Sequence, residues 1–408
     1  MVKLRDPFFE ILKRLCNTPT APYHEQRVMD EIGRWLAAEN RSRCIRYRTD
    51  VAGNIHLEYR KGRKGCRTLV LEAHLDHPGF VVTGTARDGT IRAIFRGGVK
   101  PSCFVGSAVA LWIDSLNTAS DELPTPIVTR VLRATPAKGR GPMRVTLAPI
   151  ERKIPRGTIA TWNLPDASVE DNFFMARACD DLAGVAACLC VLDRLLELQA
   201  RCNVTVLLTR AEEVGFAGAI AVAKGGLISR HCAVLGLETS RATAQAVQGA
   251  GPVIRVGDRT STFSPAFTRF MAMIAGGIAD ESADFRYQRA LMDGGTCDST
   301  VFHAFGYETG AICLALGNYH NMLEAPATAG LQPQVPTAGP LIGSETIHLS
   351  DFAGEVELLA HICVKFPRYK PGMDDLKKRF SDLHKNEQRA LLQRDGAVPS
   401  RYIHTPPM

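Results

Sequence analysis

The sequence predicts an α/β protein: a mostly parallel sheet with helices on both faces, and a small β-barrel-like domain inserted into it. Three observations carry this expectation. Strand-like and helix-like runs alternate after residue 180, the pattern of a parallel sheet covered by crossover helices. Residues 86–164 instead carry short β-like runs punctuated by Gly and Pro, with no helical period. Several apolar runs end in His, Asp or Glu, and the carboxyl ends of the strands are where an open α/β sheet binds its ligands.

Residues 7–16 and 24–39 space apolar side chains as helices do: Phe8, Leu12 and Cys16, then Val28, Ile32, Trp35 and Leu36. Asp50-Val51-Ala52-Gly53-Asn54-Ile55 reads as a turn between strands, and Thr68–Ala73 as a strand closed by His74. In the insertion, Ser107–Ile113 and Arg144–Ala148 are the clearest β-like runs. The alternation then resumes as helix 181–198, strand 204–210, helix 216–229 and strand 232–237, with a further apolar run at Ala311–Leu316. Residues 324–345, rich in Ala, Pro and Gly, read as a loop close to His320. Residues 374–394 carry Leu376, Phe380 and Leu383 at helical spacing among charges, a surface helix packed on the body or on a partner subunit. The expected division is 1–85 with 165–365 as the main domain, 86–164 as the insertion and 366–408 as a basic extension.

The composition, 45% hydrophobic and 22% charged, is that of a globular protein with a sizeable core. No apolar run reaches the roughly 20 residues that span a bilayer. No secretory pattern is visible at Met1–Asp6, so the expectation is a cytoplasmic protein that takes no membrane partner. Twelve cysteines without a Cys-x-x-Cys pair are expected to be buried thiols. The net charge of +7 forms no dense basic stripe, so no nucleic-acid partner is expected.

Five positions form a candidate set of metal ligands: His74, Asp180, the Glu212-Glu213 pair, Glu238 and His320. Taken singly, each has an ordinary explanation. A strand-end His needs only one hydrogen bond, and Asp180-Asp181 at a helix start suits capping. Glu212 and Glu213 could be solvated. Those explanations leave unexplained why all five share one topological address. Imidazole and carboxylate suit zinc-like ions. Asp76, two residues after His74, is placed to orient its ring. One of two adjacent glutamates can be neutralised by a metal while the other works as general base. Gly-x-Ser-x-Gly, Gly-x-Gly-x-x-Gly and P-loop signatures are absent from the chain, which removes the usual signs of serine hydrolases, dinucleotide enzymes and NTPases.

Ala73-His74-Leu75-Asp76-His77-Pro78-Gly79-Phe80, Cys179-Asp180-Asp181-Leu182-Ala183-Gly184 and Glu212-Glu213-Val214-Gly215 resemble the tetrahedral (TET) and glutamyl aminopeptidase family, often labelled endoglucanase. Gly53-Asn54, Gly251–Arg255, Gly294-Gly295-Thr296 and the surroundings of His320 resemble it too, over roughly residues 7–365. The resemblance implies a zinc-peptidase-like scaffold whose insertion dimerises, and a dinuclear centre. Asp180 would bridge two divalent ions, zinc or cobalt, with manganese the remaining candidate. His74 and Glu238 would complete one ion's shell, and Glu213 and His320 the other's. Glu212 would be the catalytic base and Asp76 the partner of His74. Three departures stand out: Glu238 where the family has Asp, His77-Pro78 where it has Glu and a β-branched residue, and the 324–345 segment with the basic tail after about residue 366, which have no clear family counterpart.

The expected function is a homo-oligomeric metalloaminopeptidase that removes N-terminal residues from short peptides by a metal-activated water. Two other readings compete with it. One is a carboxypeptidase, dipeptidase or N-acyl amino acid deacylase on the same scaffold, which needs a cation for a free carboxylate. The other is a catalytically silent scaffold protein, against which the intact Glu212 argues.

Overall fold

The computed structural model describes residues 4–113, 123–137, 141–323 and 341–392. Residues up to Tyr369 pack as one unit, and those from Lys370 form a second.

The chain opens with α1 (Asp6–Asn17), α2 (Gln26–Leu36) and the short α3 (Glu39–Cys44). In α1 the residues at positions 8, 12, 15 and 16 are buried, one stripe at helical spacing. The strands β1 (Ile45–Thr49), β2 (Ile55–Arg60) and β3 (Leu69–His74) follow. Six strands come next: β4 (Gly79–Thr85), β5 (Ile91–Arg96), β6 (Ala108–Trp112), β7 (Ile127–Thr135), β8 (Met143–Leu147) and β9 (Ile159–Trp162). They close into a barrel in the order β4-β5-β8-β7-β6-β9, every pair antiparallel. Strand β4 precedes residue 86, where the sequence pattern changes, yet it pairs only with barrel strands.

After β10 (Ser168–Glu170) and β11 (Phe173–Ala176) the chain enters α4 (Leu182–Glu197), β12 (Asn203–Thr209), α5 (Ala217–Gly225) and β13 (Ala233–Arg241). It continues through β14 (Val253–Asp258), α6 (Pro265–Glu281), β15 (Gln288–Met292), α7 (Asp298–Ala304) and β16 (Glu308–Leu316). Next come β17 (Glu345–His348) and α8 (Leu349–Lys365). The main sheet has the order β1-β2-β12-β3-β13-β16-β14-β15. Its centre, β12-β3-β13-β16, is parallel, while β1, β2 and the β14–β16 pairing are antiparallel. Strands β10, β11 and β17 make a small separate sheet.

Strand alternation explains why both faces of the main sheet carry helices. Leu69, Leu71 and Ala73 point to a core shared with α1, α4 and α8, while Val70 joins a second core with α5 and α7. The expected loop at 324–345 lies mostly outside the described residues. The second unit contains α9 (Asp374–Leu392), with Phe380 and Leu383 exposed. No helix among the described residues is long and apolar enough to cross a membrane. All twelve cysteines are free, and all but Cys44 and Cys66 are buried.

Candidate metal centre

The carboxyl ends of the central parallel strands meet at one cleft. His74 ends β3, Glu212 and Glu213 lie in a short 3-10 turn after β12, Glu238 is on β13, and His320 follows β16. Asp180 stands just before α4. Strand β13 runs on to Arg241, so Glu238 projects from within the strand rather than past its end.

The structure brings all five expected ligands together, in two overlapping groups. His74, Asp180 and Glu238 offer atoms within 4.8 Å of one another, as do Asp180, Glu213 and His320. Asp180 belongs to both: its Oδ1 lies 3.4 Å from His74 Nε2 and its Oδ2 3.5 Å from His320 Nε2. Glu238 Oε1 is 3.8 Å from His74 Nε2, and Glu213 Oε1 is 3.0 Å from His320 Nε2. A further grouping of His74, Glu212 and Glu213 meets the same distance limit and places Glu212 against the cluster.

The ring orientations favour cation binding. His74 Nδ1 donates to the Asp76 carbonyl at 3.0 Å, and His320 Nδ1 donates to the Gly98 carbonyl at 3.0 Å. Carbonyls only accept, so a neutral ring turns its Nε2 lone pair toward the carboxylates. His74 Nε2 and Asp180 Oδ1 are buried without a hydrogen-bond partner. A lone pair facing a buried carboxylate oxygen needs a proton or a cation between them. The donor set therefore fits divalent metal ions of the zinc type.

Without such ions the charges adjust to one another. Burial works against the His74 imidazolium, yet the nearby carboxylates of Asp180, Asp76 and Glu238 hold its pKa well above the usual value. His320 behaves alike, with Glu213 and Asp180 outweighing burial. Burial acts to raise the Asp180 carboxyl, but His320 and His74 bring it far below the ordinary carboxylate range. Burial pushes Glu238 up to about 7, with the Asp180 charge adding to it. Burial also lifts Glu212 well above the usual range, and Glu238 and Glu213 lift it further against the pull of His74.

Asp76 does less for His74 than its spacing implies. Its carboxylate Oδ1 is 3.6 Å from His74 Nδ1, too far for a good bond, and the ring bonds the main-chain carbonyl instead. Its oxygens accept from the amides of Glu212 at 2.9 Å and Glu213 at 3.2 Å, fixing the turn that carries both glutamates. The capping role open to Asp180 and Asp181 is not taken: Asp181 stands at the N-cap with no capping bond, and both its oxygens are buried and unpartnered. Gly184 leaves room for that carboxylate, since a Cβ there would meet it at 2.4 Å.

Sequence reasoning passed over several residues behind the cluster. Glu345 Oε1 accepts from the His320 amide at 2.8 Å, and its Oε2 from the Cys179 and Asp180 amides at 2.7 and 3.1 Å. Thr209 Oγ1 lies 3.0 Å from Glu72 and 2.7 Å from Asp298, joining two buried carboxyls behind His74. Glu72 had a visible signal, a charge inside the apolar run Leu69–Ala73. Glu345 had none.

A parallel-centred sheet with an inserted barrel, and carboxylates and histidines gathered at the sheet's carboxyl edge, define a metallopeptidase-type hydrolase. Residues 146–332 match the family model described as M42 glutamyl aminopeptidase, which bears out the resemblance read from the sequence. The chain is similar in structure to the TET1 peptidase of Pyrococcus horikoshii, which can assemble into a tetrahedron or a large octahedral shell. The TM-score is 0.67 at 21% identity, over 87% of this chain and 99% of that one. It is also similar to an aminopeptidase from the archaeon Desulfurococcus kamchatkensis, with a TM-score of 0.68 at 20% identity over 90% and 98% of the two chains. An endoglucanase from Thermotoga maritima gives 0.60 at 18% identity over 87% and 97%. At these identities the likeness to each structure is one of fold.

Proposed function

We propose that this chain is a metal-dependent aminopeptidase that removes N-terminal residues from short peptides. The observation that carries the reading is the Asp180 carboxylate, with one oxygen toward His74 and the other toward His320. In this reading His74, Asp180 and Glu238 would hold one divalent ion, and Asp180, Glu213 and His320 would hold a second. Zinc and cobalt suit this donor set best, ahead of manganese. When bound, such ions polarise the scissile carbonyl and acidify water. Glu212 takes the proton of the attacking water and returns it to the leaving amine. Asp76 keeps Glu212 in place through its amide.

The assembly is proposed to be a homo-oligomer formed through the barrel. Val105, Val128 and Leu132 are exposed apolar residues on it. The P. horikoshii relative's ability to form closed shells supports the same idea. A cytoplasmic setting agrees with twelve unpaired thiols. The test is metal content alongside hydrolysis of aminoacyl p-nitroanilides and their N-acetylated counterparts, before and after chelation. About two ions per chain and chelator-sensitive activity on free-amino substrates alone are expected. Less than one ion, or equal turnover of acetylated substrates, overturns the proposal.

A further inference from the structure

His77 stands where the resembling family carries Glu, and the structure gives it a use. It is 4% exposed. Its Nδ1 lies 2.6 Å from the Asp180 carbonyl oxygen and its Nε2 3.1 Å from Asn321 Oδ1. The Asn321 amide cannot turn round, because its Nδ2 already donates to the carbonyls of Arg177 at 2.9 Å and Gly343 at 3.2 Å. Both ring nitrogens of His77 therefore face oxygen acceptors, contacts that call for a ring N–H. An ionised Glu at this position could donate neither.

These bonds fall on the two chain segments that carry Asp180 and His320. The Asp180 peptide is gripped on both sides, its carbonyl by His77 and its N–H by Glu345. The His320 loop is gripped likewise, its amide by Glu345 and its next residue, Asn321, by His77. That loop needs outside support. Asn318, His320 and Asn321 all have left-handed backbone, with φ of 56°, 53° and 62°; Asn tolerates that conformation by bonding locally, and partners outside the loop help to hold His320 in it.

We propose that His77, through Asn321, is a positioning residue that sets the Asp180 and His320 donors at the spacing metal binding requires. The inference rests on reading the cluster as a metal centre and deepens it, since it names what fixes the bridge in this chain. Outer partners of metal ligands change affinity about 10–100-fold when lost.

The experiment measures zinc affinity of the full chain, stripped and titrated against a chromophoric chelator, for the parent, His77→Phe and Asn321→Ala. Melting of the stripped proteins reports fold separately. The expected result is a 10–100-fold loss of affinity for at least one ion in folded His77→Phe, and a loss of about tenfold in Asn321→Ala. If His77→Phe does not fold, Asn321→Ala decides alone. Parental affinity in a folded variant, even one with lowered melting, means that the bonds serve the fold only and overturns the proposal. A parent that holds two zinc ions beside an unaffected variant sinks the clamp alone. A parent that holds less than one sinks the metal centre and the clamp together.

Discussion

The barrel and the sheet-edge cleft are built in opposite ways. The barrel core is a knot of rings: Phe80 lies 4.7 Å from Phe95 and 4.8 Å from Trp162, and Phe95 lies 4.9 Å from Phe104, centroid to centroid. The cleft holds the carboxyls of Asp180, Asp181, Glu212, Glu213 and Glu238 against the imidazoles of His74 and His320. Dispersion and hydrophobic transfer complete the first region by themselves. The second, with five carboxyls against two imidazoles, can neutralise itself only by holding protons on groups such as Glu212 and Glu238, because unpaired buried charge is costly. That imbalance points to cations from outside the chain.

The difference is sharpest in a pair of substitutions. Glu212→Gln keeps the size of the side chain and removes the proton carrier. It is expected to retain both metal ions and lose about 10²–10⁴-fold in kcat, with an unchanged melting temperature. Parental turnover of aminoacyl p-nitroanilides would show that Glu212 is not the base. Trp162→Ala does the reverse: it empties the barrel core of its largest ring and should cost about 3–5 kcal/mol in urea unfolding. Chains that remain folded should bind zinc as the parent does. A barrel variant that lost metal affinity at constant stability would break the separation between the two regions.

A smaller effect, and one confined to the cleft, is a pH dependence that reverses with metal. In the stripped protein Glu238 is raised from the ordinary 4.5 of a glutamate to about 7, by burial first and then by Asp180. His74 and His320 are raised because the neighbouring carboxylates outweigh burial. A raised group stabilises fully below its unfolded value, and the contribution disappears as pH rises through the folded value. Stripped protein should therefore lose stability from about pH 4.5 upward through 7 and beyond. The lowered Asp180 works in the opposite direction only below 3.8, outside that window. Metal binding needs deprotonated ligands and strengthens as pH rises. Melting curves at pH 5, 7 and 9, with and without chelator, should converge in acid and separate in base. Parallel curves would mean that metal and protons do not compete for this cluster.

The cleft was legible in the sequence as a set of positions, and the barrel as a change of texture. His74, Glu213 and His320 could be placed because each follows a buried strand whose apolar run is plain to see. The strand order that joins them is set by pairing between distant segments, and no single run carries it. Strand β4 was harder to place, because Gly79–Thr85 reads like any strand until its partners β5 and β9 are known. The route of support was hidden for another reason. Asp76 bonds amides, His74 and His320 bond carbonyls, and Glu345 bonds three N–H groups. Backbone partners leave no residue type to recognise. The Glu345 role, joining segments 25 and 165 residues away, is visible only in three dimensions.

The smallest predicted effect probes the barrel's few polar bonds. Trp112 Nε1 donates to Thr161 Oγ1 at 3.0 Å, across the pairing of β6 with β9. Thr161→Val keeps the β-branched shape that suits a strand and removes only the acceptor. A single neutral hydrogen bond contributes about 1 kcal/mol net, because water competes for both partners. The barrel already carries an indole N–H without a partner, at Trp162, so it can absorb one more without changing its packing. Urea unfolding should therefore shift by about 1 kcal/mol, with zinc affinity and kcat unchanged. A loss several times larger would mean that the barrel, like the cleft, depends on its polar contacts, and the contrast between the two regions would fail.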